Sequence, residues 1–366
     1  MTSPLNNIIE QAKLEGHSPE YISDISVYAN NLISKKLPVI FSTTHLAKLI
    51  GIPPLHLAFI INNRPLNYKS YKLRKKHGGF RWINSPDKDL KYIQGWIKIH
   101  ILDIIENHEA ACGFNKGSSI KKNATSHQKK DLILNIDLYR FFDSITEERV
   151  CGLFKWLGYL PNLAYDMAKL LCYQPSDKYF VEMGKEGVFS EKYLENKRAI
   201  LPQGSPASPA VSNILTYKLD IRLFNLAAKS GVNYSRYADD ITFSGDRNNM
   251  VSLNTIKTIL VEEGFYINKE KIKYLPKNRR QNVTGVVVNE GLRVNSAYKK
   301  KVLSELFFSE KSGVKNHLDF LKDKNKQEIK SNYKDHLLGK IYFIYSIEPV
   351  TGKKMLEKFD QIKWEI

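Results

Sequence analysis

Residues Ser235 to Gly245 read SRYADDITFSG, and this stretch constrains the fold more than any other. Tyr237, Ile241, Thr242 and Phe243 favour a strand, whereas strand interiors disfavour Asp. Two adjacent carboxylates also repel each other unless a cation sits among them. A second strand-like run, LILNIDLYRFF (132–142), places Asp137 near its end. A strand ending in Asp and a hairpin carrying Asp-Asp could lie side by side in one sheet and converge three carboxylates. Oxygen-only ligands select hard Mg²⁺ over zinc. Two Mg²⁺ clamped between carboxylates stabilise the entering and leaving oxygens of an in-line phosphoryl displacement. An isolated Asp-Asp would read more simply as a cap on a turn after a strand; the other motifs decide against that.

Charge points to a polyanion. The 366 residues carry a formal charge of +18. Residues 68–130 hold 14 Lys and Arg against 5 Asp and Glu, and residues 264–301 hold 10 against 2. Nearly all the excess thus lies in two blocks, a pattern that suits salt-dependent phosphate binding rather than a generally basic surface. Cys112, Cys151 and Cys172 stand too far apart for a disulfide framework or a zinc pattern, so they are expected to be reduced thiols in a cytoplasmic protein. The start, MTSPLNNIIEQAK, lacks a signal-peptide profile, and no apolar run approaches a bilayer-spanning length, so no membrane partner is expected.

Along the chain, residues 1–60 read as a helical extension punctuated by Pro38, Pro53 and Pro54. YKLRKKHGGFRWI reads as a basic hairpin turning at His77-Gly78-Gly79. A helix is expected from Lys88 to Asn107, and an N-capped one beginning near Thr146. Residues 174–199 are polar and poorly periodic and read as an insertion. LPQGSPASPAVSN feeds a long helix, another helix spans 251–262, a strand pair lies around VTGVVVN and GLRVN, and the rest from Ala297 is helical.

In order and spacing these motifs resemble a reverse transcriptase. YADD resembles the metal-binding box of that family, NIDLYRFFDSI its first aspartate motif, and LPQGSPASPAVSN its nucleotide-and-template loop. The basic hairpin and the segment Pro86 to Gln94 resemble its fingers. The likeness runs from about Tyr68 to Asn289 and narrows further: Asn123-Ala124-Thr125-Ser126-His127 fits the NAxxH element of retron reverse transcriptases, and Val283-Thr284-Gly285 fits their VTG element. Taken alone, His127 could be a helix-face residue and V-T-G an ordinary strand tripeptide.

The resemblance implies an α+β right-hand polymerase: fingers over 61–130, palm over 131–294, helical thumb over 295–366. It implies that Asp137, Asp239 and Asp240 hold two Mg²⁺, helped by the Leu138 carbonyl. Phe142 would occupy the sugar-gate position and clash with a ribose 2′-OH. Arg74 and Arg81 would grip the triphosphate of an incoming dNTP. Gln203 and Gly204 would line the nascent base pair, and Lys271 would be a proton donor to the leaving pyrophosphate. Asn123, His127, Val283, Thr284 and Gly285 would bind a cognate structured non-coding RNA, with Lys121 and Lys122 on its backbone. The family often has Pro where Asp143 stands; the carboxylate is expected to be structural, paired with a basic residue. Copying of that RNA from an RNA 2′-OH into a branched RNA–DNA, multicopy single-stranded DNA, and work beside an effector protein in anti-phage defence are further implications, with assembly on that effector. The rival readings are an abortive-infection or group II-like reverse transcriptase, and a catalytically silent RNA-binding scaffold.

Overall fold

The computed structural model describes residues 4–74, 80–325 and 332–364. The chain divides into two compact units. One comprises Met1–Glu109, Leu138–Ile221 and Lys257–Ile267; the other comprises Ala110–Asp137, Arg222–Ile256 and Asn268–Ile366.

The first unit opens with helices Pro4–Leu14, Pro19–Ser34, Thr43–Ile50 and Pro54–Asn62. Ser18 and Ser42 cap the second and third by accepting from Tyr21 and His45 backbone N–H groups. Strands β1 (Tyr68–Arg74) and β2 (Phe80–Pro86) pair antiparallel from Tyr68↔Pro86 to Arg74↔Phe80. The turn expected at His77-Gly78-Gly79 lies outside the described residues. Asp87 caps a helix that ends at His100, not Asn107, and a short 3₁₀ turn at Leu102–Ile104 follows. The β-branched run Ile97, Ile99, Ile101, Ile104 and Ile105 lowers helix propensity where the two part. Helices Glu147–Leu157 and Pro161–Leu171 come next, the first entered from Thr146 without a side-chain cap.

Segment 174–199 is more than a polar loop. It forms helices Asp177–Gly184 and Glu191–Glu195, and Tyr179, Met183 and Phe189 build a small core with Ile200. Trp82, Tyr139, Tyr193, Leu194 and Tyr266 pack around that core. Among the described residues no single helix is long and apolar enough to cross a membrane; the bent pair Thr43–Ile50 and Pro54–Asn62 matches only by length and composition, and Leu46, Ile50, Leu57 and Ile60 in it are buried.

The second unit is organised by an antiparallel sheet. Its strands are β3 (Leu132–Asp137), β4 (Asn233–Tyr237), β5 (Asp240–Gly245) and β6 (Lys273–Pro276), in the spatial order β4-β5-β3-β6. β3 is interior, which explains its near-continuous apolar run: Ile133, Leu134 and Ile136 are buried. A second sheet of β7 (Asn282–Val283), β8 (Val286–Val287) and β9 (Arg293–Val294) follows. Helices Ser296–Lys311, Val314–Asn325, Tyr333–Ile347 and Pro349–Asp360 complete the unit. They share one apolar core with these strands, in which Val283, Val286, Val294, Leu306, Leu337 and Phe359 are buried beside Ala124 and Ile133.

Candidate active site

The pairing of β3 with β5 sets Asp137 directly opposite Asp240. Cross-strand partners share a face, so these two carboxylates start from the same side of the sheet. Asp239 stands beside them in the two-residue turn between Tyr237 and Asp240. Ala238, the first residue of that turn, has φ 56, a conformation non-glycine residues rarely adopt. Two neighbours hold it there. The guanidinium of Arg236, fully buried, donates to the Ala238 carbonyl at 3.0 Å. Gly113 lies so close that a Cβ on it would come within 2.9 Å of the Ala238 nitrogen.

Charge accumulates in this corner. Asp240 keeps solvent access as a residue, yet its carboxyl lies among protein atoms on a cleft wall. Withdrawal from water, and then the Asp239 and Asp137 charges, push its pKa up to about 6, against the pull of Lys271 and Lys273. The Lys271 ammonium meets Asp137 Oδ2 at 2.8 Å, and Asn268 donates its side-chain amide to Asp137 Oδ1 at 3.2 Å. The cleft, about 380 Å³, is lined by Asn135, Asp137, Tyr237, Asp240, Lys271 and Thr284 among others.

This donor set fits a small hard cation. The three acidic groups do not converge into one ligand shell as expected: among the described residues no three His, Cys, Asp or Glu side chains are arranged to hold a metal by themselves. Mg²⁺, however, is ordinarily bound by one or two carboxylates, with waters and substrate phosphates supplying the remaining oxygens. Asp137 and Asp240 offer such a pair, and the ammonium of Lys271 stands where a cation would neutralise Asp137.

The remaining expected nucleotide contacts belong to the first unit. Arg74 and Arg81 are both exposed; their register, Leu73↔Arg81 and Arg74↔Phe80, starts them from opposite faces of the β1–β2 ribbon. The Gln203 carbonyl accepts from the Asn84 N–H at 2.7 Å, docking this loop on β2. A Cβ on Gly204, φ 130, would meet the Asn84 carbonyl oxygen at 2.8 Å, so glycine is required. Leu138 is buried and bridges Ile267; Phe142 is half-buried, its ring 5.3 Å from that of Phe141.

Between Leu138 and Phe142 the chain turns through Arg140, φ 44. Its guanidinium forks onto Glu186 with two bonds of 2.7 Å and reaches Asp143 at 3.0 Å and the Tyr179 hydroxyl at 3.1 Å. Tyr179 in turn donates to Asp143 at 2.8 Å, and Tyr193 donates to the Asp143 carbonyl. Asp143 is thus paired with a basic residue. Sequence reasoning missed the other half of the clamp, which comes from segment 174–199.

The residues expected to read RNA divide sharply. Lys121 and Lys122 are exposed, Gly285 is exposed and Thr284 half-buried. Asn123, His127 and Val283 are not available to a ligand: their exposures are 1%, 0% and 0%. Val283 belongs to the apolar core, and the other two spend their polar atoms inside the protein. Ser235 donates to Asn123 Oδ1 at 2.6 Å, and Asn123 Nδ2 donates to Thr284 Oγ1 at 3.3 Å. His127 lies between Ser235, 2.7 Å from Nε2, and Ser244, 2.6 Å from Nδ1. Direct contact between these three side chains and RNA is therefore corrected: burial leaves them no free donor, acceptor or surface. Burial, and then Lys130, push the His127 pKa down to about 3, so the ring is neutral.

Residues 73–288 match the family described as reverse transcriptase (RNA-dependent DNA polymerase). The chain is 31% identical over 341 residues to the retron Mx162 reverse transcriptase of Myxococcus xanthus, covering 88% of this chain and 67% of that protein. It is 32% identical over 258 residues to the retron Ec86 reverse transcriptase of Escherichia coli, covering 69% and 73%. Among solved structures, telomerase from Candida albicans in complex with a fragment of telomeric RNA aligns at TM-score 0.40 and 12% identity, covering 79% of this chain and 56% of that one.

Proposed function

This chain belongs to the retron reverse transcriptases, and from that premise we propose that it copies part of one cognate structured RNA into multicopy single-stranded DNA. It is an RNA-directed DNA polymerase with an α+β right-hand fold, an RNA template and a dependence on divalent metal. In our reading the primer is a 2′-OH of the RNA itself, the product is a 2′,5′-branched RNA–DNA, and the metal is a pair of Mg²⁺ ions. Asp137 and Asp240 would hold them together with phosphate and water oxygens, with Asp239 and the Leu138 carbonyl as further donors. Arg74 and Arg81 each offer a cation to the dNTP phosphates, Phe142 faces the sugar, Gln203 and Gly204 bound the new base pair, and Lys271, whose ammonium stands on Asp137, is the proton donor to pyrophosphate. The enzyme works in the cytoplasm beside an effector protein in anti-phage defence.

The observation that carries this reading is the Asp137–Asp240 cross-strand pair, with Lys271 on Asp137, in a cleft of about 380 Å³. No structural need explains two facing carboxylates at a sheet corner; a phosphoryl-transfer metal does. The test is to purify the full chain co-expressed with its flanking RNA locus and analyse the bound nucleic acid. A branched RNA–DNA is expected from the wild type, and RNA alone from Asp239→Asn. Branched product in the variant would remove Asp239 from the chemistry, and RNA alone in both would favour the scaffold reading.

A further inference from the structure

The buried polar group in the second unit forms one directed chain. Asn123 Oδ1 can only accept, so the Ser235 hydroxyl proton points to it. Ser235 must then accept from His127 Nε2–H, and the bare Nδ1 accepts from Ser244. At the other end Asn123 Nδ2 donates to Thr284. The serine hydroxyl protons and the imidazole tautomer are thereby fixed.

Its terminus is a strained turn. Val283 and Val286 pair as the ends of a two-residue hairpin, and both central residues have positive φ: Thr284 at 46 and Gly285 at 86. Hairpin turns of that shape favour Asn-Gly or Gly-Gly. A β-branched residue in the left-handed region is an outlier that neighbouring structure must impose. The feature threonine supplies here, and glycine lacks, is the hydroxyl that accepts from Asn123. The same turn is a wall of the cleft: Thr284 and Gly285 line it together with Asp137 and Asp240. Alternation along β4 and β5 sets Ser235 and Ser244 on the face that carries Asp240 and Thr242. The relay and the cleft thus share one side of one sheet.

We propose that Asn123, Ser235, His127 and Ser244 are a positioning relay that holds the strained Thr284-Gly285 turn in the wall of the catalytic cleft, where the turn contacts the strand bearing the reacting hydroxyl. Asn123 and His127 act on synthesis through that turn and touch no nucleic acid. This rests on the polymerase reading of the cleft. It also supplies a physical reason for one chain to carry the NAxxH and VTG elements together, since a side chain of one satisfies a side chain of the other.

The test is single-nucleotide extension of a generic primer–template by the full chain, with KM for primer–template, kcat and melting temperature measured on each preparation. Asn123→Ala and Thr284→Val should each raise KM about ten-fold, the worth of one buried hydrogen bond, while kcat stays within about two-fold. Asn123→Ala already removes the link that Thr284→Val removes, so the double variant should be no worse than Asn123→Ala alone, and Thr284→Ser, which keeps the hydroxyl, should stay near wild type. Losses that multiply to about a hundred-fold, a loss confined to kcat, an unmoved KM, or Thr284→Ser as weak as Thr284→Val would each overturn the relay. If Asn123→Ala does not fold, the contrast of Val with Ser at position 284 decides alone. A wild type that extends nothing would instead fault the polymerase reading.

Discussion

Arg140 and Thr284 solve one problem in two ways. Each is a non-glycine residue in the left-handed region, φ 44 and φ 46, and each is held by its own side chain. Around Arg140 the holding groups are charged: a fork onto Glu186 and a bond to buried Asp143. Around Thr284 they are neutral, and the Asn123–Ser235–His127–Ser244 chain behind it is buried throughout. Charged groups give strong directional bonds, but a partly exposed pair is screened by salt and loses side-chain entropy. A neutral buried relay is blind to salt, but every member must be satisfied, because an orphaned donor or acceptor carries its full desolvation cost. One turn is coupled to ionic strength and the other is insulated from it.

The largest effect expected from breaking either device is at Arg140. Arg140→Ala strips the guanidinium from Asp143, whose side chain is 6% exposed, and leaves a buried carboxylate that keeps the Tyr179 hydroxyl but loses the Arg140 charge. Breaking a buried ion pair costs about 3–5 kcal/mol; the Arg140 side chain is 20% exposed, so about 2–4 kcal/mol is expected. Urea unfolding measures it, and a loss below about 1 kcal/mol would mean that the clamp is ornamental.

The relay is insulated from salt but not from acid. The His127 pKa is about 3 in the folded chain against 6.5 for a free imidazole, so between those values the unfolded state binds the extra proton. Stability conferred by neutral His127 is complete above about pH 6.5 and is lost as pH falls toward 3. The slope is at most about 1.4 kcal/mol per pH unit. His127→Gln offers one donor and one acceptor but no titration, so it should flatten the decline between pH 7 and pH 5. An unchanged slope would assign the acid sensitivity to other groups.

What was legible in the sequence follows from which forces are local. The interior strand β3 announced itself as an apolar run ending in Asp137, and the charge blocks put Lys121 and Lys122 outside, because burial of side chains alternates or repeats within a few residues. Asn123 and His127 were misplaced for the converse reason. Their partners Ser235 and Ser244 lie more than a hundred residues away in sequence, and a polar residue looks the same whether its hydrogen bond goes to water or to a distant serine. Segment 174–199 hid its structure in another way: helices of 8 and 5 residues are too short for a period to show. Tyr179, Phe180 and Met183, spaced as one turn of helix, were the available signal. Arg236 and Gly113, which hold the Ala238 turn, carry no pattern at all beyond their identity.

The smallest effect tests the comparison most directly. Glu186 is the outer half of the Arg140 clamp, with a side chain 40% exposed, so its contribution is that of a surface pair. Glu186→Gln should cost no more than about 1 kcal/mol in low salt, since one neutral bond to the guanidinium survives while the charge does not. At about 1 M salt the Debye length is near 3 Å, and most of that difference should vanish because the wild-type attraction is itself screened. Asn123→Ala destabilises through neutral bonds, and its cost should be the same in both buffers. Each variant is compared with the wild type in the same buffer, which cancels the general effect of salt on folding. If both penalties shrink alike with salt, the two turns are held by the same physics and the contrast fails. If only the Glu186 penalty shrinks, the Arg140 turn is conditioned by solution electrostatics, and the Thr284 turn is fixed by neutral hydrogen bonds that salt does not screen.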